Sequence, residues 1–177
     1  MDPLNIALIG TGFIAHYHAR GLLSLGNVHI AAVADTKPGA AQKFAKKYGL
    51  ETYTTTNITN ILKLGNIDAV IIATPNKFHL PYAIDFLTGG KDVFLEKPMA
   101  MNVEEGKEIV SAANSADRLV MVGHMWRFDE EVNFVKDAVT SGKIGKIVKT
   151  KGYGIHENWG PCLLYTSPSP RDLSTSR

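Results

Sequence analysis

A chain of 177 residues buries one good core and leaves a remnant, because domains usually need roughly 100 to 200 residues. Hydrophobic residues at 45% and charged residues at 20% give the balance of a folded globular protein and exclude a disordered one. Nineteen basic against seventeen acidic side chains leave +2, too little and too scattered for the basic stripe that a nucleic acid would need.

Met1 is followed by Asp2 and Pro3 and then at once by an apolar run. No basic, apolar and small-residue leader is present, so a cytoplasmic protein is expected. Strands are predicted over residues 6–9, 30–34, 69–73, 93–95 and 119–122. Each is apolar nearly throughout rather than alternating, as in a parallel sheet covered by helices on both faces. Helices are predicted between them, over 13–25, 38–48, a short stretch at 58–62, then 77–87 and 103–116. Pro38 suits the first turn of the second helix. The Gly89–Gly90 pair suits the end of the fourth, and Asn102 with Glu105 resembles a capping box for the fifth. No apolar run approaches the roughly 20 residues that span a bilayer, so no membrane partner is expected. The alternation of strand and helix predicts a Rossmann-type, doubly wound parallel α/β sheet, with any ligand at the carboxyl ends of its strands.

After Val122 the pattern changes. Phe128, Val132, Val135 and Val139 form a helical stripe, and residues 146–153 read as a strand opening a second sheet. The expected organisation is a Rossmann-type domain over 1–123, then only the start of a second, α+β domain over 124–161, and a tail over 162–177.

The first strand runs into Gly10-Thr11-Gly12-Phe13-Ile14-Ala15, a GxGxxA loop opening a helix. Gly10 permits the tight turn, Gly12 lets backbone approach a pyrophosphate, and Ala15 lets helix and strand pack closely. The N–H groups of Thr11, Gly12, Phe13 and Ile14 and the helix dipole then face the phosphates. A glycine pair alone also occurs in ordinary turns. Here it follows the first strand, and Asp35 ends the second strand twenty-three residues after Gly12, where a carboxylate can accept hydrogen bonds from the adenosine ribose. That carboxylate would repel the extra phosphate of NADP, so NAD is favoured. Lys37 lies close enough to soften the preference, though a solvated lysine at a helix start is its simpler reading.

Ala73-Thr74-Pro75-Asn76, His79 and above all Glu96-Lys97-Pro98 make the chain resemble the Gfo/Idh/MocA family of sugar and polyol dehydrogenases. In that family an (A/T)-x-P-x-x-x-H turn follows the fourth strand and EKP the fifth, and the likeness covers about residues 4–160. It implies Lys97 beside the nicotinamide and the substrate hydroxyl, as the catalytic group. Hydride transfer leaves a hydroxyl that loses its proton, and a cation there stabilises the developing alkoxide and relays the proton. Glu96 would hold Lys97 or the nicotinamide ribose. Thr74, Pro75 and Asn76 would line that ribose, with simple turn chemistry as the alternative. His79 is divided between a site role and helix capping. Arg127, at the family's domain junction, either shapes the site or bonds a strand-end carbonyl. His16 and His18, two positions apart, face different ways on a helix and cannot chelate; both read as packing or surface residues, and no metal is expected.

The resemblance therefore implies an NAD(P)-dependent oxidoreductase acting on a secondary alcohol of a sugar, inositol or polyol, as a homo-oligomer when full length. Alternatives are an NAD-using redox-neutral glycosidase or dehydratase of the same family, and a non-catalytic dinucleotide sensor, which would have no need of Lys97. A short-chain dehydrogenase needs a Tyr-x-x-x-Lys pair, and no tyrosine here has a lysine four residues on. Residues 162–172 read as translated transposon-end adaptor DNA, so the tail and its lone Cys162 are expected to be non-native. The family's second signature, an Asp with a His four residues later, is absent. The chain as given is expected to bind cofactor without catalysing.

Overall fold

The computed structural model describes residues 3–150; the predicted tail and the end of the strand expected at 146–153 lie outside them. The chain divides into two units, the first ending at Arg127. In the first, β1 (Leu4–Ile9), β2 (Val28–Ala34), β3 (Tyr53–Thr55), β4 (Ala69–Ile72), β5 (Asp92–Leu95) and β6 (Val120–Val122) alternate with helices. These are α1 (Phe13–Leu23), α2 (Ala40–Tyr48), α3 (Thr59–Leu62), α4 (His79–Thr88) and α5 (Val103–Ala116). All five strand pairs are parallel, in the order β3-β2-β1-β4-β5-β6. This is the Rossmann arrangement, with its order reversing between β1 and β4.

The apolar strands bury both faces. Ile6, Leu8, Val33 and Ile71 pack with Ala15 and Ala19 of α1 and with Ala41 and Phe44 of α2. Ala7, Ile9, Ala32, Ala34, Val70 and Ile72 point the other way, against Ile61, Phe86, Leu87 and Ile109 of α3, α4 and α5. Two-residue periodicity is thus present inside runs that show no polar alternation, because neither face meets water. In β2 the count slips: Ile6 pairs with Ile30 but Ala7 with Ala32, so Ala31 is a bulge residue.

Two of the expected helix signals hold. Asn102 accepts from the Glu105 N–H at 2.8 Å while Glu105 accepts from Met101 N–H at 3.0 Å, a capping box displaced by one residue. Gly90 takes φ +76° after α4, and Lys91 N–H reaches back to the Phe86 carbonyl at 2.9 Å, closing the helix in a left-handed turn. Pro38 does not sit in the first turn of α2. The helix begins two residues later behind Gly39, whose φ of +75° turns the chain into it. The fourth helix likewise starts at His79, after a 3-10 turn over Asn76–Phe78, and α1 stops at Leu23.

In the second unit α6 (Glu130–Thr140) forms where the stripe predicted it, capped by Asp129, which accepts from Val132 N–H at 2.9 Å. The described part of the expected second-sheet strand, residues 146–150, is not a strand. A strand needs a neighbour for its backbone bonds, and among the described residues none pairs with it. No helix of the described residues is long and apolar enough to cross a membrane.

The close approach of the segments leaving β1 and β4 depends on Gly10. It holds φ +95°, and a Cβ there would lie 2.5 Å from the Ala73 carbonyl oxygen. Gly10→Ala is expected to cost about 2 to 4 kcal/mol, combining left-handed strain with a backbone clash. Gly12→Ala, whose Cβ would meet nothing within 4 Å, should stay within about 1 kcal/mol. Urea denaturation checks both, and equal losses would remove the steric account.

Candidate functional site

Four backbone bonds set the loops in a row along the carboxyl edge of the sheet. Gly10 N–H donates to Ala34 O at 2.7 Å, Ala73 to Ile9 O at 2.8 Å, Glu96 to Ile72 O at 3.0 Å and Gly123 to Leu95 O at 2.8 Å. Each strand's last ladder bond therefore fixes the first residue of the neighbouring loop. The glycine loop, the Thr74-Pro75-Asn76 turn, the Glu96-Lys97-Pro98 turn and Gly123 follow one another across the edge.

At the β1–β2 side, Asp35 closes the glycine loop. Its Oδ2 accepts from Thr11 N–H at 2.9 Å and from Thr11 Oγ1 at 2.6 Å, and its Oδ1 accepts from Lys37 N–H at 2.9 Å. Thr11, Gly12, Asp35, Lys37, Pro38 and Lys43 line a cleft of about 360 Å³. Among the described residues no side chain caps α1, and no acidic residue stands in its first turn, an end whose N–H groups and dipole suit an anion. The open space before Gly12 is consistent with that: the protein itself does not require a glycine there, whereas a ligand pressed against the backbone would. Phe13 is 73% exposed and meets Tyr17 edge-on at 5.2 Å. Ile14 is half-buried against the α1–α2 core.

At the β4–β5 side, His79 is wholly buried. Its Nδ1 lies 2.8 Å from the Pro98 carbonyl and its Nε2 3.0 Å from the Thr74 carbonyl. The ring joins the two turns. Thr74 carries a buried hydroxyl without a partner among the described residues. Pro75 accepts from Phe78 N–H at 2.9 Å, and Asn76 opens the 3-10 turn.

Glu96 is 8% exposed. Its Oε1 accepts from His18 Nε2 at 2.8 Å and its Oε2 from the backbone N–H of Lys97 at 3.1 Å. Burial pushes its carboxyl up, but the hydrogen bonds from His18 and Lys97 and the positive charge of both side chains bring it below the usual glutamate range. Lys97 and Pro98 are exposed beyond it, joined by a cis peptide bond. Arg127 stands exposed on the 3-10 turn after β6, its N–H bonded to His124 O at 3.0 Å.

His18 was expected to be packing or surface, and it is the residue the sequence reading missed. The available signal was helical phase: three residues after Ala15, it shares the face that meets the sheet. Lys43 and Gly123 also reach the site, and nothing local in the sequence marks them. His16 matches its packing assignment, its Nδ1 2.9 Å from Tyr48 Oη and its ring stacked on Phe44. Among the described residues no group of His, Cys, Asp and Glu could hold a metal ion.

Residues 4–124 match the family described as oxidoreductase family, NAD-binding Rossmann fold. The scyllo-inositol 2-dehydrogenase (NAD(+)) of Bacillus subtilis strain 168 is 32% identical over 151 residues, 85% of this chain and 44% of that protein. The crystal structure of myo-inositol 2-dehydrogenase from Lactobacillus plantarum superposes with TM-score 0.76 at 32% identity, over 83% of this chain and 44% of that one. That of scyllo-inositol dehydrogenase from Lactobacillus casei, with bound NAD(H) and scyllo-inositol, gives 0.75 at 28%, over 82% and 43%. The chain spans about half the length of the curated relatives it matches.

The depressed carboxyl of Glu96 carries a pH consequence. Its folded pKa lies below the reference 4.5, so it stabilises the fold above that value, and the contribution fades as pH falls through the folded pKa. Glu96→Gln should therefore lower stability near neutral pH, with the gap to the parent closing below about pH 4.5. Denaturation midpoints across that range measure it, and a gap independent of pH would assign the loss to packing alone.

Proposed function

The chain belongs to the Gfo/Idh/MocA oxidoreductase family with its NAD-binding Rossmann fold, and from that premise we propose that it is the cofactor-binding part of a polyol dehydrogenase. The reaction is hydride transfer between NAD and a secondary alcohol of inositol or a related polyol or sugar. The observation that carries this reading is the single edge on which the Gly12–Asp35 cleft and the Glu96–Lys97 turn stand in register. The names of the relatives support the substrate class, since several act on inositol and one is seen with scyllo-inositol and NAD(H).

The residues fit the dinucleotide. The uncapped first turn of α1, with the backbone of Thr11, Gly12, Phe13 and Ile14, suits the pyrophosphate. Asp35 keeps lone pairs beyond those used by Thr11 and Lys37 and suits the adenosine ribose. Thr74, whose hydroxyl has no partner among the described residues, lies with Pro75, Asn76 and Glu96 on the side proposed for the nicotinamide ribose, and His79 bolts that side together. When bound, NAD supplies the hydride acceptor. Lys97 stabilises the alkoxide and takes the proton of the substrate hydroxyl, and Arg127 lies on the segment leading toward the substrate part. Residues 1–123 form the cofactor domain on this reading, and 124–161 open the substrate domain. A sensor without chemistry would have little reason to hold a lysine beside a clamped, ionised glutamate.

Asp35 sets the coenzyme. NADH should bind more tightly than NADPH by about tenfold or more, and Asp35→Ser should narrow that ratio by removing the like charge while Lys37 and Lys43 remain. Fluorescence titration of both nucleotides decides this, and equal affinities in the parent would sink the assignment. In a chain extended to the length of its relatives, Lys97→Ala should lower kcat by about 10²- to 10⁴-fold with NADH affinity nearly unchanged. Near-normal turnover would return Lys97 to an ordinary surface lysine.

A further inference from the structure

We infer that His18 is a positioning residue for Lys97, tying the backbone of the proton-transfer lysine, through the Glu96 carboxylate, to the helix whose first turn faces the dinucleotide. The inference rests on the proposed function for the role of Lys97, and on geometry for the link itself. His18 Nε2 lies 2.8 Å from Glu96 Oε1, while Glu96 Oε2 takes the Lys97 N–H at 3.1 Å. One carboxylate therefore bridges a side chain of α1 and the backbone at Lys97. His18 is six residues beyond Gly12, roughly 9 Å along the helix axis. A rigid helix of that length fixes the cofactor loop and the lysine turn in one frame.

The surroundings leave the carboxylate little choice of partner. The His18 ring stands edge-on to Phe94, centroids 5.1 Å apart at 72°. From the β6 side, Gly123 closes the pocket: a Cβ there would lie 3.2 Å from Glu96 Oε1 and 3.3 Å from the Phe94 ring. The titratable groups facing the carboxylate are His18 from α1 and Lys97 from its own segment, and Gly123 contributes none. A carboxylate this buried requires its donors. Without His18, Oε1 loses its partner, the side chain turns toward water, and the Lys97 N–H loses the acceptor that orients the turn. A ring that merely filled space would not affect that bond.

The test reads the Lys97 amide by ¹⁵N NMR in the 177-residue protein. Its N–H donates to Glu96, so its shift follows protonation of that carboxylate with pH, and Glu96→Gln should abolish the titration. The midpoint should lie below the ordinary glutamate range in the parent, and in His18→Ala the Lys97 amide should cease to follow it, as in Glu96→Gln. His18→Gln, whose amide N–H reaches the same oxygen, should restore the titration, whereas the shorter His18→Asn should behave as His18→Ala. If His18→Ala does not fold, the Gln and Asn pair carries the comparison. An unchanged midpoint and unchanged Lys97 shift in the Ala or Asn variant would overturn the inference. NADH titration of the same samples separates the two claims: His18→Ala should bind NADH within about threefold of the parent. Absence of NADH binding by the parent would instead overturn the proposed function, leaving the His18 link to the amide data.

Discussion

The close approach of β1 and β4 is the constraint on which the molecule turns. At Gly10 the chain leaves the sheet with its backbone against the Ala73 carbonyl, closer than any side chain allows. Because the strand order reverses at that point, connections from β1 run to one face and those from β4 to the other, and a crevice opens between them. A wider separation would loosen the ladder bond from Ala73 to Ile9 and, with it, the row of loop entries that follows. The site is thus a consequence of one missing methyl group before it is a matter of any charged residue.

Three polar side chains then close what the glycine opens. Asp35 joins the end of β2 to the glycine loop, His79 joins the turn after β4 to the turn after β5, and Glu96 joins β5 to α1. Each spans two segments that the sheet has brought near but not locked. Buried polar groups with all partners supplied specify one arrangement more sharply than apolar contacts do. That division of labour, apolar layers for the sheet and polar stitches for its edge, sets Asp35, His79 and Glu96 along the carboxyl ends of the strands.

Most of the first unit was legible because its signals are local. All-apolar runs gave five strands, and the glycine loop with Asp35 gave the nucleotide side, each resting on residues close in sequence. Tyr53–Thr55 was missed as a strand because three residues of polar character on a sheet edge carry no period. The family pattern nevertheless counted one strand more before the Thr74 turn than the apolar runs supplied. Pro38 misled because its fixed φ suits both a helix start and the turn before one, and Gly39 decided between them. His18, Lys43 and Gly123 join the site through tertiary contacts that only the strand order reveals. The segment at 146–150 shows the opposite failure: its composition favours a strand, but a strand is a property of a pair.

Ala31 gives the sheet its last lesson. Strand side chains obey parity, and one bulged residue shifts the number parity of everything after it while the pairing resumes unchanged. Ile30 and Val33 lie three apart yet share the α1–α2 layer, and Asp35, two beyond Val33, inherits that side, where the glycine loop is waiting. The address of the acid is therefore set by pairing with the neighbouring strand rather than by the count along its own. Removing Ala31 would set Ala32 directly after Ile30 and opposite Ala7 as before, and Val33 and Asp35 would keep their layer, so the bulge takes up one residue locally and leaves the acid in place.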